Sequence, residues 1–219
     1  MSQSKIYRGI ASAKTQKGLV EFSNKLQMAG VEEFSNVLHE KSKIGIQVQD
    51  YSKGTGEKNV IVEANISPEE AQGLLDKAKA IFYFGCKGEF SKSWTEIFGE
   101  YVDEDGKKDG SSIVHKLWIT RTPVDSKGQK MNYPWCISIE NGKGKKAESS
   151  NSIVPNTYVC VKKAKKQVSD EDFIRMLRRV DTCIREFEGR AAGILFDEAY
   201  KRLQLEKEAR EAQRAGVGK

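Results

Sequence analysis

The sequence contains little cysteine, histidine or proline: its 219 residues include four cysteines, two histidines and four prolines. No two cysteines have the short spacing of zinc or redox motifs, so we predict neither a metal site nor a cofactor site. Most neighbours of the cysteines are apolar. We therefore interpret the cysteines as buried, reduced thiols of a cytoplasmic protein, at Cys86, Cys136, Cys160 and Cys183.

Long apolar runs are also missing. No stretch of the sequence approaches the roughly 18 apolar residues that a membrane-spanning helix needs. The first residues lack the apolar segment of a signal peptide. We therefore expect no membrane partner.

The composition is that of a globular chain with a basic balance. Hydrophobic residues make up 38% and charged residues 31%, and the net charge is +6. This composition allows a core of ordinary size. We predict two parts: an α+β body over residues 1–168, with a basic sheet region at 106–168, and a C-terminal helical element with a frayed tail over residues 169–219.

The stretch from Ser169 to Arg214 predicts a long helix or a helix pair. Ser169 suits the N-cap, and three acidic residues follow it in the first turn, where the helix dipole favours them. An apolar seam with alternating spacings of four and three follows; its members are Phe173, Leu177, Val180, Ile184, Phe187, Ala191 and Ile194. Two interpretations stay open: a helix that closes the core of its own chain, or one that also joins subunits of a homo-oligomer through residues 194–205.

The first half of the body mixes helical and strand patterns. A short strand is predicted at Ile6–Ser12, and apolar spacings of three and four predict helices at Thr15–Ala29 and Val31–His39. Alternation on both sides of a Gly-containing loop predicts a hairpin over Lys43–Ile66. Ser67 begins a capping box for a helix to about Lys79, and an aromatic strand is expected after that helix, at Ala80–Gly85.

The second half of the body reads as strands with turns between them. The strands are predicted at 93–102, 113–120, 133–140 and 157–163. The fold class is therefore α+β: an antiparallel sheet or a small, partly open barrel, with helices on one face and a long C-terminal helix or helix pair.

Positive charge is concentrated in the basic region, which we define as residues 106–168. This region has thirteen lysine and arginine residues against four carboxylates, a net charge of +9, so the rest of the chain sums to −3. Lysines neutralise phosphates and exposed aromatic rings stack on bases, so the pattern predicts a surface for nucleic acid, with single strands favoured. The candidate binding residues are Lys116, Trp118, Arg121, Lys127, Lys130, Tyr133, Trp135, Lys143, Lys145, Lys146, Lys162, Lys163, Lys165 and Lys166.

The same pattern permits other interpretations. The lysines can be solvated residues that protect a sheet edge, and the tryptophans can belong to the core. Alternation alone does not say which side of Trp118 or Trp135 faces solvent. A different class of function also fits: a non-catalytic assembly factor or inhibitor that binds an acidic protein surface in a nucleic-acid-processing complex.

Catalysis is not expected. A metal-dependent nuclease would need carboxylates positioned together to hold metal ions. Asp103, Glu104, Asp105 and Asp109 lie close in sequence, but a solvated turn explains them better, since their spacing does not match a calcium loop.

Overall fold

The computed structural model describes residues 8–31, 37–54, 56–84 and 88–216. Two compact units can be distinguished. One unit runs up to Lys25 and resumes from Lys43 to Asp181; the other comprises Leu26–Ser42 and the chain from Thr182 onward.

The first unit contains two antiparallel four-stranded sheets. The first sheet is a meander of β1 (Gly9–Thr15), β2 (Gly18–Lys25), β3 (Lys43–Asp50) and β4 (Val60–Ile66). The second sheet is a meander of β5 (Phe90–Val102), β6 (Lys108–Arg121), β7 (Trp135–Gly144) and β8 (Val159–Val168). Strands β3 and β4 lie against β7 and β8, and neither sheet closes into a barrel among the described residues. The α+β class with antiparallel sheets and a long C-terminal helix is thus confirmed.

The predicted hairpin over Lys43–Ile66 is confirmed as β3 and β4. Val48 pairs with Val62 and Ile46 with Ala64, and these side chains are buried. A short 3₁₀ turn at Gly56–Lys58 lies in the loop between the strands. The alternation of apolar and polar residues predicted this pairing because one side of each strand faces the core.

The predicted helix at Thr15–Ala29 is wrong. Residues Gly18–Lys25 form β2, whose alternate residues Val20 and Phe22 are fully buried. The register with β3 pairs Val20 with Val48 and Phe22 with Ile46. Tertiary pairing overrides the three-and-four spacing, which combines Leu19 and Phe22, from opposite sides of β2, with Leu26, just after the strand. The strand expected at Ile6–Ser12 is β1, which begins at Gly9; Ile6 and most of the helix expected at Val31–His39 lie outside the described residues.

Helix α1 (Pro68–Tyr83) begins at the predicted capping box. The Ser67 hydroxyl accepts from the Glu70 amide at 3.2 Å, and the Glu70 carboxylate accepts from the Ser67 amide at 3.0 Å. The buried face consists of Ala71, Leu74, Leu75 and Ala78. The strand expected from Ala80 is wrong, because Ala80–Tyr83 continue the helix.

Helix α2 (Asp170–Gly216) is continuous, and Gly189 and Gly193 do not interrupt it. The Ser169 hydroxyl accepts from the Asp172 amide at 3.1 Å, which confirms the predicted cap. In the first unit the seam is buried at Phe173, Leu177 and Val180. In the second unit the buried residues of the helix are Ile184, Ala191 and Leu195, whereas Ile194, expected in the seam, is half exposed.

The second unit also contains a short bridged loop before β3. Met28 and Leu38 form an antiparallel bridge, and Ser42 is buried and bonds both the amide and the carbonyl of Gln27.

The described cysteines are free thiols, but not all are buried. Cys136 and Cys183 are half-buried, and burial raises the pKa of both thiols. The expectation of burial is wrong for Cys160, which is exposed because β8 is an edge strand. Cys86 lies outside the described residues.

Candidate nucleic-acid interface

The second sheet has one buried face and one open face. The buried side chains of its central strands alternate and pair across β6 and β7: Leu117 with Ile139, and Ile119 with Ile137. The residues between them point to the opposite side, which we call the open face. Its half-buried or exposed members are Ser91, Ser93, Thr95, Lys116, Trp118, Thr120, Cys136, Ser138, Glu140, Lys163, Lys165 and Gln167. At one end of this face, beyond Lys116, Val114 lies on the same side of β6 and is fully buried.

Trp118 lies at the centre of the open face. In register across the sheet, Ser93 of β5 and Ser138 of β7 flank it, and Lys165 of β8 follows Ser138. The two cross-strand neighbours of the indole, Ser93 and Ser138, have short hydroxyl side chains. The row therefore places an aromatic surface two strands away from a lysine.

The next row carries more charge. Thr95, Lys116, Glu140 and Lys163 are in register. The Lys116 ammonium lies 3.5 Å from the ring centroid of Tyr158, whose hydroxyl donates to Glu140 at 3.3 Å. Burial and the nearby acidic groups raise the pKa of the Tyr158 phenol, so Tyr158 is neutral and able to donate.

Gly142 allows the approach of Tyr158 to the sheet. A Cβ at this position would lie 2.2 Å from the Val159 carbonyl oxygen and 2.9 Å from the Tyr158 ring. The register between β7 and β8 shifts at this point, between Asn141 and Gly142. The shift brings Tyr158 and Val159, at the start of β8, close to the backbone of Gly142. Only glycine leaves room for them at this position.

The four lysines of β8 divide between the two faces. Lys163 and Lys165 lie on the open face, paired with Glu140 and Ser138. Lys162 and Lys166 alternate with them and point to the other side. Lys166 is half-buried and donates to the Thr15 hydroxyl, and burial lowers the pKa of its ammonium. The four lysines, although clustered in sequence, therefore belong to two different surfaces.

Two of the predicted binding residues, Trp135 and Arg121, lie in the core and not on the open face. The Trp135 ring is fully buried and stacks on Phe173, with centroids 4.2 Å apart. Arg121 is buried beside it and binds both carboxylate oxygens of Asp170, at 2.9 and 3.1 Å, while the Trp135 indole donates to Asp170 at 2.7 Å. These contacts fix the start of α2 to the sheet, so neither side chain forms part of the open face.

The remaining candidates lie around the sheet. Lys127, Lys130 and Tyr133 are exposed in the connection between β6 and β7, and Lys145 and Lys146 are exposed after β7. Lys143 bonds Asp109 at 2.6 Å, and this contact raises the pKa of the lysine and lowers that of Asp109 to about 2. Lys143 therefore has an internal counter-ion.

The acidic turn is explained by local bonds. The Asp103 carboxylate accepts from the amides of Asp105 and Lys107, at 3.0 and 2.7 Å. In the described ranges no group of three or more histidine, cysteine or acidic side chains could hold a metal ion. Nor is any helix in the described part of the chain long and apolar enough to cross a membrane.

The sequence reasoning missed the hydroxyl side chains of the open face. Ser91, Ser93 and Thr95 alternate with larger residues on β5, and this alternation was available as a signal that one side of the strand is polar. The position of Tyr158 was not available, because it depends on the register shift at Gly142.

Comparison with known proteins gives a likeness in structure but none in sequence. No protein-family model matches the sequence, and no curated protein matches it. The chain is similar to the crystal structure of WHY3 from Arabidopsis thaliana, with 11% sequence identity and a TM-score of 0.45. The alignment covers 93% of this chain and 99% of that one. At this TM-score and sequence identity, the likeness does not indicate a function for this chain.

Proposed function

We propose that this is a non-catalytic, cytoplasmic nucleic-acid-binding protein that holds single strands on the open face of its second sheet. The observation that carries the proposal is the row through Trp118: an indole on the solvent side of the sheet, between Ser93 and Ser138, with Lys165 beside them. DNA and RNA both offer the bases and phosphates that such a row binds.

Stacking favours a single strand over a duplex. An aromatic side chain stacks on an unpaired base for about 1–3 kcal/mol, with little regard to which base it is. In a duplex the faces of the bases are already stacked on each other. Trp118 is therefore proposed to contact a base, and the hydroxyl groups of Ser93 and Ser138 to lie along the strand.

The lysines supply the remaining attraction. The basic region carries +9 in a chain of net +6, so its field attracts a polyanion. Lys163 and Lys165 are proposed to meet phosphates directly. The exposed lysines in the loops at the ends of the sheet, Lys127, Lys130, Lys145 and Lys146, are proposed to extend the path at longer range.

The test is fluorescence anisotropy with labelled single-stranded and duplex oligonucleotides over a range of salt concentrations. For single strands the log–log slope against salt is about −0.7 for each phosphate neutralised. We expect Lys163→Gln/Lys165→Gln to reduce the size of this slope by about 1.4, and Trp118→Ala to weaken binding without changing the slope.

A matched control is available on the same strand. Lys162→Gln/Lys166→Gln removes the same charge from the opposite side of β8, and we expect a smaller change in slope. Equal effects of the two lysine pairs would reject the open face as the binding surface. Equal affinity of wild-type protein for single strand and duplex would reject the preference for single strands.

The second candidate is an assembly factor or inhibitor that uses the basic region against an acidic protein. It predicts weak binding of nucleic acid at about 150 mM salt, where charges a Debye length apart are screened. A pull-down from nuclease-treated extract would then still recover a defined protein. Loss of every partner after nuclease treatment would count against it.

A further inference from the structure

Three consecutive aromatic side chains are exposed where α1 ends. Phe82, Tyr83 and Phe84 are 40, 57 and 81% exposed. The rings of Phe82 and Tyr83 meet edge to face, with centroids 5.1 Å apart. Exposed aromatic side chains that lie next to each other are typical of an interaction site, unlike single exposed residues scattered over a surface.

Arginines from α2 stand beside these rings. Arg175, Arg178 and Arg179 share one side of the helix, because residues three and four apart are neighbours on a helix surface. A cleft of about 320 Å³, which we call the aromatic cleft, lies between them and the end of α1. The cleft is lined by Phe82, Tyr83, Glu171, Ile174, Arg175, Arg178 and Arg179.

The lining of the aromatic cleft is positively charged, with three arginines and one glutamate. Arg175 bonds Asp172 at 2.6 Å, which balances one charge. Arg178 lies over the Tyr83 ring, 6.0 Å from its centroid, and donates to its hydroxyl. A guanidinium has five N–H donors, so Arg178 can bind a carboxylate in addition to the partners that it has within the protein.

The aromatic cleft and the open face lie on different sides of the second sheet. Phe173, next to the cleft residue Ile174, stacks on Trp135, whose ring is on the buried face of the sheet. Trp118 points to the other side. A nucleic-acid strand that follows the open face does not pass through the cleft, so the proposed function leaves the cleft without a role.

We propose that the aromatic cleft binds an acidic peptide segment of a partner protein, with an aromatic side chain of the peptide on Phe82 and Tyr83. The carboxylates of the peptide meet Arg178 and Arg179, and its ring completes the apolar floor that Ile174 begins. This adds a protein-docking site to the proposed nucleic-acid surface.

The test uses the full chain and short fluorescein-labelled peptides in anisotropy. In the first peptide, phenylalanines alternate with pairs of aspartates; the second carries asparagine for aspartate, and the third carries serine for phenylalanine. We expect the first peptide to bind and each of the others to bind at least about tenfold more weakly, since each loses one of the two kinds of contact. Equal binding of the first two peptides, or none by any, would overturn the proposal.

Protein variants locate the site. Arg178→Gln/Arg179→Gln should weaken the first peptide by about tenfold or more, whereas Arg190→Gln/Arg210→Gln, with the same loss of charge from exposed positions on the same helix, should leave it unchanged. Unlabelled single-stranded oligonucleotide is the competitor. Displacement of the peptide by the oligonucleotide would overturn a separate protein site. Binding of single strands by Arg178→Gln/Arg179→Gln reports on the open face independently, so the two proposals can fail separately.

Discussion

The side chain of Asn141 on β7 pairs with the backbone of Glu63 on β4 as a neighbouring strand would. Its amide oxygen accepts from the Glu63 N–H at 2.9 Å, and its amide nitrogen donates to the Glu63 carbonyl at 2.6 Å. Strand β4 is an edge of the first sheet, so these backbone groups have no strand partner. Two residues further along β4, the carboxylate of Glu96 from β5 accepts from the backbone N–H of Asn65 at 2.7 Å. Two polar side chains of the second sheet thus cover the open edge of the first.

Replacing Asn141 should therefore loosen the contact between the sheets. We expect Asn141→Ala to lower the free energy of unfolding by about 1–3 kcal/mol, because it removes two hydrogen bonds of ordinary strength. Urea unfolding measures the change. Asn151→Ala, in an exposed loop, is the control and should have almost no effect. A loss no larger than that of the control would show that water replaces the side chain at no cost.

The contact of Arg121 with Asp170 predicts a larger effect. Burial by itself raises the pKa of Asp170, but the bonds from Arg121 and Trp135 outweigh it, and the pKa is lowered overall. Asp170→Asn should destabilise the protein by about 3–5 kcal/mol at neutral pH, because it leaves the buried Arg121 without its counter-ion. As the pH falls through the folded pKa of Asp170, wild type loses this advantage and the difference between the two proteins should narrow. A difference that is independent of pH would contradict the role given to the ion pair.

Glu96 should show the opposite dependence on pH. Desolvation raises the pKa of its carboxyl group, despite the bonds from Asn65 and the nearby charges of Lys43 and Lys25. A carboxyl group with a raised folded pKa binds its proton more tightly in the folded state. Its contribution to the free energy of unfolding is therefore present at low pH and is lost as the pH rises through the folded pKa. Wild type should thus lose stability relative to Glu96→Gln as the pH rises from the usual pKa of a carboxyl group through the raised folded pKa of Glu96. The measurement is the free energy of unfolding in urea for both proteins across this pH range. A difference between them that does not change with pH would contradict the prediction.

The part of the fold that sequence patterns predicted is the part governed by local chemistry. Ser67 and Glu70 are close in sequence and form a capping box. The alternating residues of Lys43–Ile66 form two strands that pair with each other. The spacing of Leu19, Phe22 and Leu26 fits a helix, although Gly18–Lys25 form a strand. Their true state depends on pairing with β3, which no local window contains.

The candidate interface was predictable in composition but not in geometry. The excess of lysine and the presence of Trp118 follow from the sequence, but which tryptophan faces solvent depends on what covers each side of the sheet. Trp135 is buried because Phe173, from a helix that begins 35 residues after it, stacks on it and Asp170 accepts its indole N–H. For the same reason the β8 lysines could not be divided between two surfaces before the pairing of β7 with β8 was known.

The last prediction concerns self-association through residues 194–205. Along this part of α2, Leu195 is only 1% exposed, whereas Ile194, Leu203 and Leu205 are 50, 64 and 64% exposed. Exposed leucines on a helix favour a contact with another chain. Leu195→Glu would place a charge in a buried position and destabilise the fold, so it cannot test this contact.

The informative variant is Leu203→Glu/Leu205→Glu, which alters only exposed side chains. We expect wild type to be an oligomer in sedimentation equilibrium, with a stability that rises with protein concentration, because association is linked to folding by mass action. The variant should be a monomer whose stability does not depend on concentration. Ala209→Glu/Gln213→Glu adds the same charge to the same helix without removing a leucine, and it should remain associated. A wild-type monomer at all concentrations would reject the contact, and an oligomer that the leucine substitutions leave intact would place it elsewhere on the chain.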